Sequence, residues 1–127
     1  MKKSKIQEEK RLMNRWVFDV ANLLMDDENV SRKVAFRQAH LVRELLDALG
    51  RGEVRFAYQK KDGTLREARG TLCHGISEAF DSYDYKVADD LKDAGVGGTN
   101  FVYWDMEREA FRSFAAMNVK KIVEVKM

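Results

Sequence analysis

The sequence predicts an α+β protein in which two N-terminal helices precede a small barrel of about five short strands. Three observations predict it: apolar residues recur at spacings of three and four as far as Leu49, the period switches to two after the "GRG" at 50–52, and an Asp-Gly pair follows the first alternating run. At 127 residues the chain can bury one modest core. One compact unit is therefore expected, with a helical region over 1–50 and a barrel over 51–127 that carries an acidic insert at 73–99.

From Ile6 to Met25, the residues Met13, Trp16, Val17, Val20, Leu23 and Leu24 fall on one stripe of an amphipathic helix, and the acidic "DDEN" ends it. A second helix follows Ser31, whose hydroxyl can accept from the amides of the first turn. Val34, Leu41, Val42, Leu45, Leu46 and Leu49 form its buried face, and Gly50 stands where a left-handed C-cap residue belongs. Val54, Phe56 and Tyr58 then alternate with Arg55, Ala57 and Gln59, as on a half-buried strand.

Asp62-Gly63 marks the turn of a hairpin, and its length sets the register. A two-residue loop would place Tyr58 opposite Glu67 and Phe56 opposite Arg69. A three-residue loop, Lys61-Asp62-Gly63 with Gly63 left-handed, places Tyr58 opposite Arg66, Phe56 opposite Ala68 and Val54 opposite Gly70. The longer loop keeps small residues beneath large ones, and it is the register expected. Farther on, "YKVADDLKDAG" reads as a short helix closed by Gly95 and "GVGGTN" as a flexible approach to the next strand. "FVYWDM" and "AFRSFAA" read as two strands joined by a charged "ERE" turn, and "KIVEV" as a last strand.

A net charge of +2 is too mild to imply nucleic-acid binding, but the charge is unevenly spread. Residues 51–72 hold six Lys and Arg against three acids, whereas residues 73–110 hold three against nine. The single cysteine, Cys73, excludes an internal disulfide and fits a reducing compartment. Lys2, Lys3 and Lys5 are followed by the polar "QEEKR" rather than an apolar leader, and no run is long enough to span a bilayer, so a cytoplasmic protein without a membrane partner is expected.

Five constellations bear on function. Lys60, Lys61, Arg66 and Arg69, with Arg55, make the hairpin basic; they read either as a solvated strand edge that resists aggregation or as a phosphate-binding surface beside Tyr58 or Tyr103. "FVYWDMEREAFRSF" is apolar on both faces, so one face needs a cover: the helical pair, or a ligand or second subunit. Within it Arg112 can pair with Asp105 or present its planar fork to an anion. The glycines of "GVGGTN" precede a strand and no Lys-Ser/Thr follows them, so neither dinucleotide-loop nor P-loop chemistry applies. Cys73 and His74 are neighbours whose side chains would diverge on a strand, and with His40 elsewhere they make neither a zinc set nor a nucleophile pair. The carboxylates Asp81, Asp84, Asp89, Asp90 and Asp93 lack calcium-loop spacing and read as a solvated surface.

The set "VRFAYQKKDGTLREARGTL" and "YWDMEREAFRSF", preceded by "VSRKVAFRQAHLVRELL", resembles the WYL-like, Sm-like SH3 β-barrel family of small bacterial and phage proteins, over roughly residues 30–120. The resemblance implies a small Sm-like or SH3-like barrel with helices packed on it, preceded by a helix that matches Ser31 to Leu46, and it brings no reaction with it. Distant WYL relatives are regulatory domains proposed to bind nucleic acids or nucleotides, which directs attention to Arg112, Tyr103 and Trp104. Two departures are Phe111, where the family often has tryptophan, and the longer acidic insert. The first helix lies outside the resemblance.

The functional expectation is a non-enzymatic binding or regulatory module, with no cofactor and no metal. Its ligand would be single-stranded nucleic acid or a nucleotide, held by Lys60, Lys61, Arg66, Arg69, Tyr103, Trp104 and Arg112. The alternative is a protein-interaction module that forms a homo-oligomer or docks a protein partner through the first helix and the aromatic patch.

Overall fold

A computed structural model describes residues 5–82 and 98–126 of the chain. The helix expected to close at Gly95 lies outside the described residues, as do Asp84, Asp89, Asp90 and Asp93. Two helices, α1 (Lys5–Glu28) and α2 (Arg32–Leu49), precede β1 (Glu53–Gln59), β2 (Leu65–Thr71), a one-turn helix α3 (Glu78–Asp81), β3 (Asn100–Asp105), β4 (Ala110–Ala115) and β5 (Val119–Lys126). The acidic run does not stop α1 at Met25. Asp26, Asp27 and Glu28 continue it, and the helix ends at Asn29, which takes the left-handed conformation at φ 51°.

Ser31 caps α2 as expected, its hydroxyl accepting from the Val34 amide at 3.2 Å. The other end differs. Gly50 is right-handed, with φ −70° and ψ −14°, because the chain leaves the helix through a tight turn in which the Arg51 and Gly52 amides both donate to the Ala48 carbonyl. The buried face of α2 is also rotated from the leucine-rich one expected: Ala35, Gln38, Ala39, Val42, Leu45, Ala48 and Leu49 are buried, while Val34, Leu41 and Leu46 are only half-buried. Small alanines let the helix approach the sheet closely. Gln38, buried among them, donates to the carbonyls of Ala116 and Val119 at 2.7 and 2.6 Å and ties α2 to the short turn before β5. On α1, Val17, Val20, Ala21 and Leu24 are buried, whereas the stripe members Met13 and Leu23 are 44% and 40% exposed.

The hairpin adopts the three-residue loop. Tyr58 faces Arg66, Phe56 faces Ala68, Val54 faces Gly70, and Gly63 is left-handed at φ 89°. All five strands form one antiparallel sheet in the order β4-β3-β2-β1-β5. Two strands separate β1 from β4 in that order, yet the Phe56 and Phe114 rings lie 5.8 Å apart and those of Tyr58 and Phe114 6.2 Å apart. The sheet must therefore curl on itself, and it does so at the short β2–β3 junction, where only Gly70↔Asp105 and Thr71↔Trp104 are paired. Gly70 makes the curl feasible. A Cβ there would lie 2.5 Å from Cδ2 of Tyr103 and 3.1 Å from the Trp104 carbonyl oxygen. Gly70→Ala is thus expected to cost about 1–3 kcal/mol through overpacking, read as a lowered urea midpoint at unchanged slope. An unchanged midpoint would show that the Tyr103 ring can move aside.

The concave face of the barrel and the inner faces of both helices share one core that includes Val17, Leu24, Val42, Leu49, Val54, Phe56, Tyr103 and Phe114. Trp16 seats on Phe101 at 5.7 Å, and the Arg43 guanidinium lies over the Trp16 ring at 5.0 Å. The helical pair therefore covers the Phe101 face of β3. The opposite face, carrying Trp104, is covered from elsewhere: Phe80 of α3 stands 5.7 Å from Trp104 and 6.0 Å from Phe111, and Trp104 meets Phe111 at 5.0 Å. Part of the expected acidic insert thus serves as an apolar lid.

Candidate functional site

Strand parity divides the seven residues expected to bind. Residues 54, 56 and 58 of β1 point to the inner face, and the register places Arg66, Ala68 and Gly70 of β2 beside them. On β3 and β4 the same face carries Phe101, Tyr103 and Asp105, with Ala110, Arg112 and Phe114 opposite. Arg69 belongs to the other face. It pairs with Glu53 at 3.5 Å on a mixed-charge surface where Arg55 is held by Glu67 and by Glu124 at 3.4 Å. Arg66 and Arg69 therefore do not build one site: a separation of three residues on a strand puts them on opposite faces.

Tyr103 and Trp104 are also corrected. Their exposures are 0% and 1%, so neither ring offers a face on which a base can stack, and Tyr58 at 4% does not either. Tyr103 instead exchanges a hydrogen bond with Tyr58 through their hydroxyls at 2.9 Å. Burial, reinforced by that bond, pushes the Tyr103 phenol far above its ordinary range, so it stays neutral.

At the same end of the barrel lies Asp105, whose side chain is fully buried. Its Oδ1 accepts from the Glu107 and Arg108 amides at 3.0 and 3.2 Å, which shapes the turn into β4. Its Oδ2 accepts from Nη2 of Arg66 at 2.5 Å and forms an ion pair with Nε of Arg112 at 3.3 Å. Four contacts offset the desolvation of one carboxylate. Two guanidiniums thus share one negative charge, and Nε of Arg66 is buried without an acceptor among the described residues. The cluster is left with a surplus positive charge.

That surplus borders a groove. A cavity of about 400 Å³ runs between the hairpin turn and β4, lined by Gln59, Lys60, Lys61, Asn100, Phe111 and Arg112, with Tyr58 and Phe114 in its floor and Ser113, Ala115 and Asn118 completing the wall. Three of the expected residues, Lys60, Lys61 and Arg112, meet here, and Arg66 stands behind Arg112 through Asp105. Among the described residues no carboxylate lines the groove. The nearby acid, Asp62, is engaged by Thr64, whose hydroxyl and amide donate to it at 2.6 and 2.9 Å and hold its carboxyl below the usual range. Asn100 and Asn118 were not singled out in the sequence, and the half-buried Phe111 was noted there as a departure from the family pattern rather than as a binding residue. Their signal was weak, since two amides and a phenylalanine in separate segments mark no motif until the barrel closes.

Elsewhere, His74 pairs with Asp81 at 3.1 Å and its ring lies 5.0 Å from Phe80, fastening the lid. Cys73 lies after the end of β2 rather than on a strand, and its Sγ contacts the His74 carbonyl at 3.4 Å. Among the described residues no three His, Cys, Asp or Glu side chains gather as a metal would require. No helix among them is long and apolar enough to cross a membrane.

A family model described as WYL_2, with an Sm-like SH3 beta-barrel fold, matches residues 42–120, more than half of the chain. No curated protein and no solved structure matches it.

Proposed function

The chain belongs to the WYL_2 family, with its Sm-like SH3 beta-barrel fold, and from that premise we propose that it is a non-enzymatic binding module whose groove takes a nucleotide phosphate, free or within single-stranded nucleic acid. The observation that carries this reading is the groove's charge: Lys60, Lys61 and Arg112 face a cavity of about 400 Å³ that no carboxylate among the described residues lines. Cations usually solvate separately or pair with acids, as Arg55 and Arg69 do on the outer face. The volume falls within the range of about 300–1,000 Å³ common for small-ligand sites. Amides at Gln59, Asn100 and Asn118 add donors and acceptors that sugar or base edges can use, and Phe111 supplies an apolar wall.

Fluorescence anisotropy with a fluorescein-labelled oligo(dT) tests it. Binding should weaken steeply with salt, with a slope set by the number of phosphates contacted. A Lys60→Ala/Lys61→Ala variant should lose about tenfold or more in affinity and show a shallower slope, while Arg69→Ala should change affinity less than about twofold. Equal losses from both variants would remove the groove as the site, and no binding at low salt to either the oligonucleotide or a labelled mononucleotide would remove the function.

A second reading, a protein-interaction module, draws on α1, where Leu12, Met13, Phe18 and Leu23 are 40–59% exposed. Trp16, engaged with Phe101 and Arg43, is the wrong residue with which to test it. Light scattering on Leu12→Glu/Leu23→Glu against the parent is the suitable comparison; a parent that is monomeric at every concentration discounts self-association.

A further inference from the structure

Arg112 is the one arginine in the groove lining, and Asp105 is its only ion-pair partner among the described residues. The closest contact is through Nε, 3.3 Å from Oδ2 of Asp105, and no other carboxylate among the described residues pairs with this guanidinium. Asp105 does not line the groove and is completely buried, so it cannot itself meet a ligand. Its own position is over-determined by the Glu107 and Arg108 amides and by Arg66. An arginine on an open strand would move among several rotamers, and ordering it on binding would cost side-chain conformational entropy. Paired through Nε with a fixed carboxylate, it has already lost part of that freedom.

We propose that Asp105 is a positioning residue for anion recognition: by gripping Nε of Arg112 it presents the terminal fork of that guanidinium, fixed in orientation, to a phosphate in the groove. This rests on the reading of the groove as a phosphate site. Arg66 has a defined part in it, because it supplies the second positive charge that Asp105 neutralises and so leaves Arg112 with charge to share with a ligand. Lysine cannot replace Arg112 in this arrangement. A single ammonium engaged by Asp105 has no separate planar fork to offer, whereas guanidinium can be held at one edge and recognise phosphate with another.

The test is a double-substitution cycle on oligo(dT) affinity, measured by anisotropy well below the unfolding transition of every variant. Asp105→Asn should weaken binding about tenfold in the parent, yet change it less than about twofold when Arg112→Ala is already present, since its effect passes through Arg112. Arg112→Lys should lose nearly as much as Arg112→Ala. A purely structural Asp105 predicts equal losses from Asp105→Asn in both backgrounds, and that result overturns the proposal. If Asp105→Asn does not fold, Arg112→Lys decides alone: parental affinity would show that charge without a held fork suffices, overturning the positioning role. A parent that binds no oligonucleotide or mononucleotide overturns the phosphate site and this role together, whereas parental binding with additive losses overturns the positioning role only.

Discussion

Asp105→Ala is expected to lower the free energy of unfolding by about 3–5 kcal/mol, the range for breaking a buried ion pair from one side. The loss has two sources. Arg66, whose side chain is 16% exposed, keeps its charge but loses its carboxylate, and the Glu107 and Arg108 amides lose the acceptor that shapes the β3–β4 turn. Arg112→Ala should cost much less, because its side chain is 29% exposed and Arg66 still satisfies the carboxylate. Urea unfolding followed by tryptophan fluorescence reads both, with Trp104 next along β3 as a local reporter. A loss below about 1 kcal/mol for Asp105→Ala would mean that water or a rearranged Arg66 replaces the pair.

Phe56→Ala should be as damaging, at about 3–5 kcal/mol, the range for deleting a buried aromatic ring. Phe56 is fully buried and touches Tyr103 at 5.0 Å, Tyr58 at 5.8 Å and Phe114 at 5.8 Å, so it joins β1 to both β3 and β4 across the inside of the curl. Against a total of about 5–15 kcal/mol for a domain of this kind, either loss leaves little reserve. Phe80→Ala is the control. Its ring covers the outer face of the sheet and is only half-buried, so its removal should uncover Trp104 and shift its emission to longer wavelength while costing clearly less. Equal costs at the two positions would mean that the lid is as much a part of the core as the barrel interior.

Much of the fold was legible because it is written over short distances. The Ser31 cap, the period change at 50–52, and the pairing of Ala68 and Gly70 beneath Phe56 and Val54 each depend on residues a few positions apart or directly across one hairpin. Where local reasoning missed, the packing of distant parts intervened. Gly50 is right-handed because the chain must enter β1 with Gly52 buried and the Leu72 amide bonded to the Leu49 carbonyl. The face of α2 rotated because Gln38 finds its partners 78 and 81 residues away.

The candidate site divides along the same line. Parity alone separates Arg66 and Arg112 from Arg69, and it places Asp105 with the first two; the ion pair of Arg112 with Asp105 was among the readings of the sequence, and 3.3 Å supports it. That Tyr103 and Trp104 are core rather than stacking platforms could not be read, since it required knowing that α1 and α2 cover one face of β3 and Phe80 the other.

Alternation, caps and turn chemistry in this chain thus specify which side chains share a face, because those are properties of neighbouring backbone. Bringing Lys60 and Lys61 together with Arg112, about fifty residues later in the chain, depends on the curl at Gly70 and on Tyr103 filling the space that a Cβ would occupy. Curl is a collective result of packing both sides of the sheet at once, so the basic hairpin becomes one wall of a groove only when the barrel has closed.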